Sequence, residues 1–99
     1  MSQTDDVNRR DGGFDVSGRL TFQTVPNFLV RTATWFDGAG AITVDLAKVS
    51  LADSAGLALM VEWLGRARSA SRELRFVNLP EQVRHLIRVS GLSGVFGLA

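Results

Sequence analysis

Strand patterns and helix patterns alternate three times along this 99-residue chain. The segments "GFDVSGRLT", "AITVDLAKVS" and "ELRFVNL" have the apolar alternation and β-branched content of half-buried strands. Each is followed by a segment with helical spacing of its apolar residues. Because helical crossovers join parallel strands, the three strands are predicted to form a largely parallel sheet. The chain is therefore predicted to fold as an α/β domain.

The three predicted helices begin and end at recognisable signals. Pro26 suits the first position of the first helix, which needs a sheet to dock on because its β-branched residues are weak helix formers. A second helix is predicted from Ser54 to about Ser71. Pro80 opens the third helix and Gly91 ends it. The inward-facing residues of the third helix are predicted to be Val83, Leu86, Ile87 and Ser90, and the apolar tail after it is predicted to pack back on the domain.

The start of the chain is polar. Residues 1–11 are predicted to form a polar tail or a weak edge strand through Val7, and residues 12–99 to form the domain. No apolar run approaches the ~20 residues of a membrane span, and the start lacks the apolar core of a signal peptide. The chain is therefore expected to be cytoplasmic, without direct membrane insertion.

Composition excludes several kinds of site. The chain has no cysteine, which rules out disulfides, a thiol catalyst and a Cys-based zinc site. With His85 as its single histidine, no compact metal site or metal cofactor is predicted. Residues 63–99 carry six arginines against two glutamates. These arginines lack a tight basic block or an aromatic stacking motif, so no nucleic-acid partner is predicted.

The segment "DSAGL" at residues 53–57 lies where a strand pattern gives way to a helix pattern. A catalytic Ser54 would need a base, and His85 lies on the polar side of the third helix. The segment also lacks the first glycine of the G-x-S-x-G hydrolase turn. No enzyme activity and no catalytic residue are therefore predicted. Locally, Asp53 or Ser54 is expected to cap the helix, and Gly56 to permit close backbone packing.

These residues resemble a STAS domain, the fold of anti-sigma factor antagonists. The pattern D-L-x-x-V-x-x-x-D-S-x-G-L is met at Asp45, Leu46, Val49, Asp53, Ser54, Gly56 and Leu57. With "LRFVNLPEQVRHLIRVSGL", the similarity covers roughly residues 12–96. The resemblance implies a four-to-five-stranded, mostly parallel mixed sheet with three or four helices packed on one side. It also implies a binding module without catalytic activity.

Two branches of the family fit. In the MlaB branch, which "DSAGLALMVEWLGRAR" is nearer to, the protein is an accessory subunit of an ABC transporter for phospholipid. Its partner there is the ATPase subunit (MlaF-like), with the permease in the same complex at the inner membrane. Such a transporter maintains the lipid asymmetry of the outer membrane. In the SpoIIAA-like branch, an anti-sigma factor kinase is the partner and phosphorylates the serine that matches Ser54.

The second helix is expected to carry the partner contact. If Leu57, Val61, Leu64 and Arg68 face the sheet, Met60 and Trp63 fall on other sides of the helix. Trp and Met are favoured in interfaces, and Arg66 would form a charged rim. An alternative places Met60 in the core and Trp63 flat over surface arginines. The predicted partner-binding residues are Asp53, Ser54, Ala55, Leu57, Met60, Trp63 and Arg66.

Overall fold

Residues 4–98, which a computed structural model describes, form four strands and three helices. Their order is β1 (Asp6–Arg10), β2 (Gly13–Leu20), α1 (Val25–Arg31), β3 (Ile42–Ala52), α2 (Ser54–Ser69), β4 (Leu74–Val77) and α3 (Glu81–Val89). The strands lie side by side in sequence order. β1 is antiparallel to β2, whereas the β2–β3 and β3–β4 pairs are parallel. The predicted α/β fold with a mostly parallel mixed sheet is confirmed.

One face of the sheet is buried and carries the core. Alternate residues of β2 and β3 point to this face, so the strands bury Phe14, Val16, Leu20, Ile42, Val44 and Leu46. The helices bring Phe28, Leu57, Leu59, Met60, Trp63, Val83 and Ile87 to the same cluster. Intervening strand residues such as Thr43 and Ser50 are exposed. The helices therefore cover one side of the sheet, as expected from the one-sided alternation of the strands.

β1 is an edge strand that side-chain contacts attach to the domain. The Val7 side chain of this strand is fully buried in the core. Asp6 accepts a hydrogen bond from the Arg31 guanidinium on α1, which also donates to the Val7 carbonyl oxygen at 2.8 Å. Asp5 lies 2.9 Å from Arg19 of β2. Of the two interpretations of the first residues, the structure shows the edge strand from Asp6 to Arg10; residues 1–3 lie outside the described residues.

Acid is expected to loosen this edge. Hydrogen bonds from Arg19 lower the pKa of Asp5, and the hydrogen bond from Arg31 lowers the pKa of Asp6. A carboxyl group with a lowered folded-state pKa stabilises the fold above its unfolded pKa of about 3.9 and loses that effect as the pH falls through the folded value. Hydrogen exchange should therefore show β1 amides losing protection before β3 amides as the pH falls below about 4.

Asp6→Asn supplies the control for this acid effect. It should weaken the attachment of β1 at neutral pH and flatten the dependence on pH. Because both pairs are partly exposed, salt should reduce the difference between the wild type and the variant. Parallel loss of protection in β1 and β3 across the acid range would contradict the assignment.

The orientation of α2 differs from the predicted one. The structure buries Leu57, Leu59, Met60, Trp63 and Ala67, whereas Val61 is 37% exposed and Arg68 is exposed. The predicted inward stripe through Val61 and Arg68 is therefore wrong. Both stripes start at Leu57. The predicted stripe continues four residues later, at Val61, whereas the observed stripe continues three residues later, at Met60. The structure follows the stripe that buries Trp63, because Thr32, the C-cap of α1, accepts a hydrogen bond from the indole N–H.

α3 ends in a left-handed glycine turn. Val83 and Ile87 are buried and Leu86 is half-buried as predicted, but Ser90 is exposed, so its predicted inward placement is wrong. Gly91 has a φ of +74°, and the next amide donates to the Ile87 carbonyl oxygen at 3.0 Å. The tail then packs on the core through Leu92, Phe96 and Leu98, in agreement with the prediction.

Candidate docking site

The junction of β3 and α2 is organised by the carboxylate of Asp53. Its Oδ1 accepts a 2.9 Å hydrogen bond from the Gly56 amide, so Asp53 is the N-cap of α2. Its Oδ2 accepts a 3.1 Å hydrogen bond from the Phe22 amide, in the loop between β2 and α1. One side chain therefore caps the helix and holds the neighbouring loop. The second function of Asp53 was not foreseen from the sequence, because the two residues are 31 positions apart.

Gly56 lets the first turn of α2 approach β2. A Cβ built at this position would lie 1.8 Å from the carbonyl oxygen of Leu20. The same carbonyl oxygen accepts the Asp53 amide hydrogen bond at 3.2 Å. The predicted close packing at Gly56 is thus a contact between two backbones. It fixes the start of α2 against the end of β2.

α3 holds the junction from the other side. The Gln82 side-chain amide donates to the Ala52 carbonyl oxygen and accepts from the Ala52 amide, both at 2.9 Å. β4 pairs with β3 only at residues 42–45, so the far end of β3 has a strand neighbour on the β2 side but none on the β4 side. Gln82 takes the place of the missing neighbour. The backbone directly before Asp53 and Ser54 is therefore fixed.

Ser54 is exposed at the first position of α2. The histidine that a serine nucleophile would need, His85, is exposed on α3. Among residues 4–98, no cluster of three or more His, Cys, Asp and Glu side chains could hold a metal ion. Each helix in this range is too short or too polar to span a lipid bilayer.

A shallow groove between α1 and α2 continues from Ser54. It is lined by Val25, Leu29, Ala55, Ala58, Leu59, Glu62 and Arg66. Most of this lining is apolar, and its α2 side begins with small alanine residues. Arg66 and Glu62, 3.1 Å apart, form an ion pair at the far end. Since each helical residue advances 1.5 Å, the groove follows α2 for about 16 Å from Ala55 to Arg66.

The structure separates the predicted contact residues into two groups. Ser54 is exposed, and Asp53, Ala55 and Arg66 are partly exposed along the groove and its entrance. The three others belong to the core, where their exposed fractions are 5% for Leu57, 0% for Met60 and 0% for Trp63. The prediction that Leu57, Met60 and Trp63 take part in the partner contact is therefore wrong, because their side chains are buried. The alternative in which Trp63 lies over surface arginines is wrong as well, although its placement of Met60 in the core agrees with the structure.

Trp63 is buried because neighbouring side chains pack against its ring and one of them accepts a hydrogen bond from its N–H group. The indole Nε1 donates a 3.1 Å hydrogen bond to Thr32 Oγ1, and that hydroxyl donates at 2.8 Å to the Phe28 carbonyl oxygen. Phe14 meets the indole edge-to-face at a centroid distance of 5.0 Å. These partners come from α1 and β2, far from α2 in sequence. A buried tryptophan and an interface tryptophan therefore give the same local sequence pattern.

Sequence reasoning missed the α1 side of the surface. Val25 and Leu29 line the groove opposite Ala58, and Phe22 is 69% exposed beside its entrance. Phe22 carried a usable signal: it is a large apolar residue between a predicted strand and a predicted helix, so neither element buries it. Ala58 carried another, because it lies four residues after Ser54 and therefore on the same side of the helix.

The family model described as "Mlab, STAS domain" matches residues 4–98. No curated protein sequence matches the chain significantly. A solved anti-sigma factor antagonist from Mycobacterium paratuberculosis is 25% identical, with a TM-score of 0.78 over 98% of this chain and 85% of that one. This similarity extends over nearly the whole of both chains.

Two more distant structures share the fold. The anti-sigma factor antagonist SpoIIAA in its unphosphorylated form is 17% identical, with a TM-score of 0.73, and the alignment covers 92% of this chain and 84% of that one. The murine anion transporter Slc26a9 is 18% identical, with a TM-score of 0.65, over 88% of this chain and 15% of the transporter. At these identities the likeness establishes the fold alone. The family match over residues 4–98 goes further: the chain belongs to the MlaB-type STAS domain family.

Proposed function

We propose that this chain is the STAS subunit of an ABC transporter that moves phospholipid between the inner and outer membranes. It docks on the ATPase subunit, stabilises or regulates it, and carries out no chemistry of its own. Its place is on the cytoplasmic side of the inner membrane, which it reaches through the complex. The observation that carries the proposal is the match of the MlaB-type family model to residues 4–98. In this role the transporter maintains outer-membrane lipid asymmetry.

The docking surface in this proposal consists of Ser54, the groove between α1 and α2, and the loop at Phe22. Its physical support is an apolar groove beside a rigid junction. Asp53, Gly56 and Gln82 fix the backbone around Ser54, so the surface is ordered before a partner binds. A preordered surface loses little conformational entropy on binding. The alanines at the start of α2 allow a partner segment to approach the helix closely.

Ser54→Arg tests this surface. The long side chain would stand where the partner docks, and its charge is unfavourable at a helix N-terminus. We expect the affinity for the ATPase subunit of an Mla-type transporter from the same genome to fall by at least about tenfold in calorimetric titration. Ser90→Arg, at an exposed site at the end of α3, is the matched control and should bind like the wild type. Wild-type affinity of a folded Ser54→Arg variant would refute this docking surface.

A second candidate function is that of an anti-sigma factor antagonist. It is favoured by the likeness to the Mycobacterium paratuberculosis protein and by the exposure of Ser54. In this case a kinase would phosphorylate Ser54, adding about 2 negative charges at a helix N-terminus, which tolerates them well. Co-purification distinguishes the two functions. Recovery of an ABC ATPase supports the first, and recovery of a kinase that phosphorylates Ser54 supports the second.

A further inference from the structure

Phe22 is an exposed aromatic side chain on a rigid turn. It is 69% exposed, whereas Thr21 and Thr24 on either side of the turn are buried. The Thr24 hydroxyl accepts the Thr21 amide at 3.0 Å and lies 2.9 Å from the Arg19 carbonyl oxygen, to which it donates. The amides of Thr24 and Val25 both donate to the Thr21 carbonyl oxygen at 2.9 Å. The backbone of the turn is therefore ordered while the ring of Phe22 faces solvent.

The same turn is tied to the start of α2. The amide of Phe22 donates to Oδ2 of Asp53, and the other oxygen of that carboxylate caps α2. Phe22 and Ser54 therefore flank one carboxylate and are held in a fixed relation to each other. An exposed aromatic on a preordered backbone has the properties of an interface anchor, because it buries a large area at little entropic cost.

We propose that Phe22 inserts into an apolar pocket of the ATPase subunit and that Asp53 positions it there. This inference rests on the proposed function and assigns one residue of that docking surface as its anchor. The geometry favours a protein pocket over a lipid surface, because the carboxylate of Asp53 adjoins the turn. This negative charge would be repelled by an anionic membrane.

Phe22→Ala is the first test, with Val89→Ala as its matched control. Val89 is comparably exposed, at 65%, but lies at the end of α3, away from the Asp53 junction. In titrations with the ATPase subunit of an Mla-type transporter, Phe22→Ala should weaken binding by at least about tenfold. Val89→Ala should leave the affinity unchanged. Both variants should unfold at the same denaturant concentration as the wild type, because neither side chain is buried.

Asp53→Asn tests the positioning role. Asparagine is as good an N-cap as aspartate, but its amide nitrogen cannot accept a hydrogen bond from Phe22. We expect the affinity to fall several-fold with Phe22 present, and no further loss when Asp53→Asn is added to Phe22→Ala. General damage to α2 would instead lower the affinity equally in both backgrounds. Additive effects in this cycle would therefore overturn the positioning role.

The outcomes separate this inference from the proposed function. If Ser54→Arg weakens binding and Phe22→Ala binds like the wild type, the docking surface stands and the anchor assignment is wrong. If the wild type does not bind the ATPase subunit at all, both are wrong. Two further measurements test whether Phe22 binds something other than the ATPase subunit. Sedimentation of the chain alone, with and without Phe22→Ala, tests for a dimer, and flotation with anionic phosphatidylglycerol vesicles tests for membrane binding. A dimer or vesicle binding that depends on Phe22 would overturn the inference.

Discussion

Gly56→Ala is expected to lower the free energy of unfolding by at least about 3 kcal/mol, the upper part of the range for overpacked sites. The new methyl group would lie 1.8 Å from the Leu20 carbonyl oxygen and 2.6 Å from its carbonyl carbon. Neither atom can move without shifting the end of β2, so α2 must retreat. That retreat would strain the hydrogen bond from Asp53 to the Leu20 carbonyl oxygen and disturb the cap of α2. Urea denaturation followed by circular dichroism measures the loss.

Gly65→Ala is the control in the same helix. A Cβ at Gly65 has no neighbour within 4 Å, and the residue is exposed. Alanine should therefore stabilise the domain by up to about 1 kcal/mol, because it restricts the unfolded chain and favours helix. The same substitution is thus expected to lower the free energy of unfolding at Gly56 and to raise it at Gly65. Equal stability of the two variants would show that α2 does not pack on Leu20 as described.

Trp63→Ala is expected to cost about 3–5 kcal/mol, as truncations of buried aromatic residues do. A domain of this size has a total stability of about 5–15 kcal/mol, so this loss would be a large fraction of the total. Removing the indole leaves a cavity against Phe14 and takes away the 3.1 Å hydrogen bond to Thr32. Trp35→Ala is the matched control: Trp35 also meets Phe14, at 5.1 Å, but is only partly buried and should lose less.

Trp63→Phe separates stability from binding. It keeps most of the core volume and should cost about 1–2 kcal/mol, since Thr32 retains its hydrogen bond to the Phe28 carbonyl oxygen. Because the indole is fully buried, the folded variant should bind the ATPase subunit with wild-type affinity. A loss of affinity without a loss of stability would place Trp63 at the interface after all.

The element order could be predicted because short-range patterns determine it. The alternation in β3 and the change of period at Ser54 gave the strand, the helix and their boundary. The phase of α2 could not be predicted in the same way. Its sequence is apolar on more than one side, and the choice between the two stripes depends on Thr32 and Phe14, which lie elsewhere in the chain. Arg68 was evidence in the sequence against the predicted stripe, since a charged residue is rarely buried.

The residues at the junction of β3 and α2 could be predicted from the sequence, whereas the residues around that junction could not. Asp53, Ser54 and Gly56 follow one another in the chain and share a recognisable pattern. Phe22, Leu29 and Gln82 reach the same place only through the topology of the sheet, which brings the end of β2, the start of α1 and the start of α3 around the end of β3. A pattern that spans five residues carries no information about such neighbours.

The bond between Gln82 and Ala52 makes the order of synthesis matter for this small domain. Gln82 leaves the ribosome 30 residues after Ala52, and β4 has to be made in between. Until then the backbone amide and carbonyl group of Ala52 lack their Gln82 partner, and the segment that carries Ser54 is held from the β2 side alone. A nascent chain can form β1, β2 and β3 early, yet it acquires a finished contact surface only when its last quarter arrives. A truncated product lacking α3 would therefore carry Ser54 on a segment that is fixed from the β2 side but not from the α3 side.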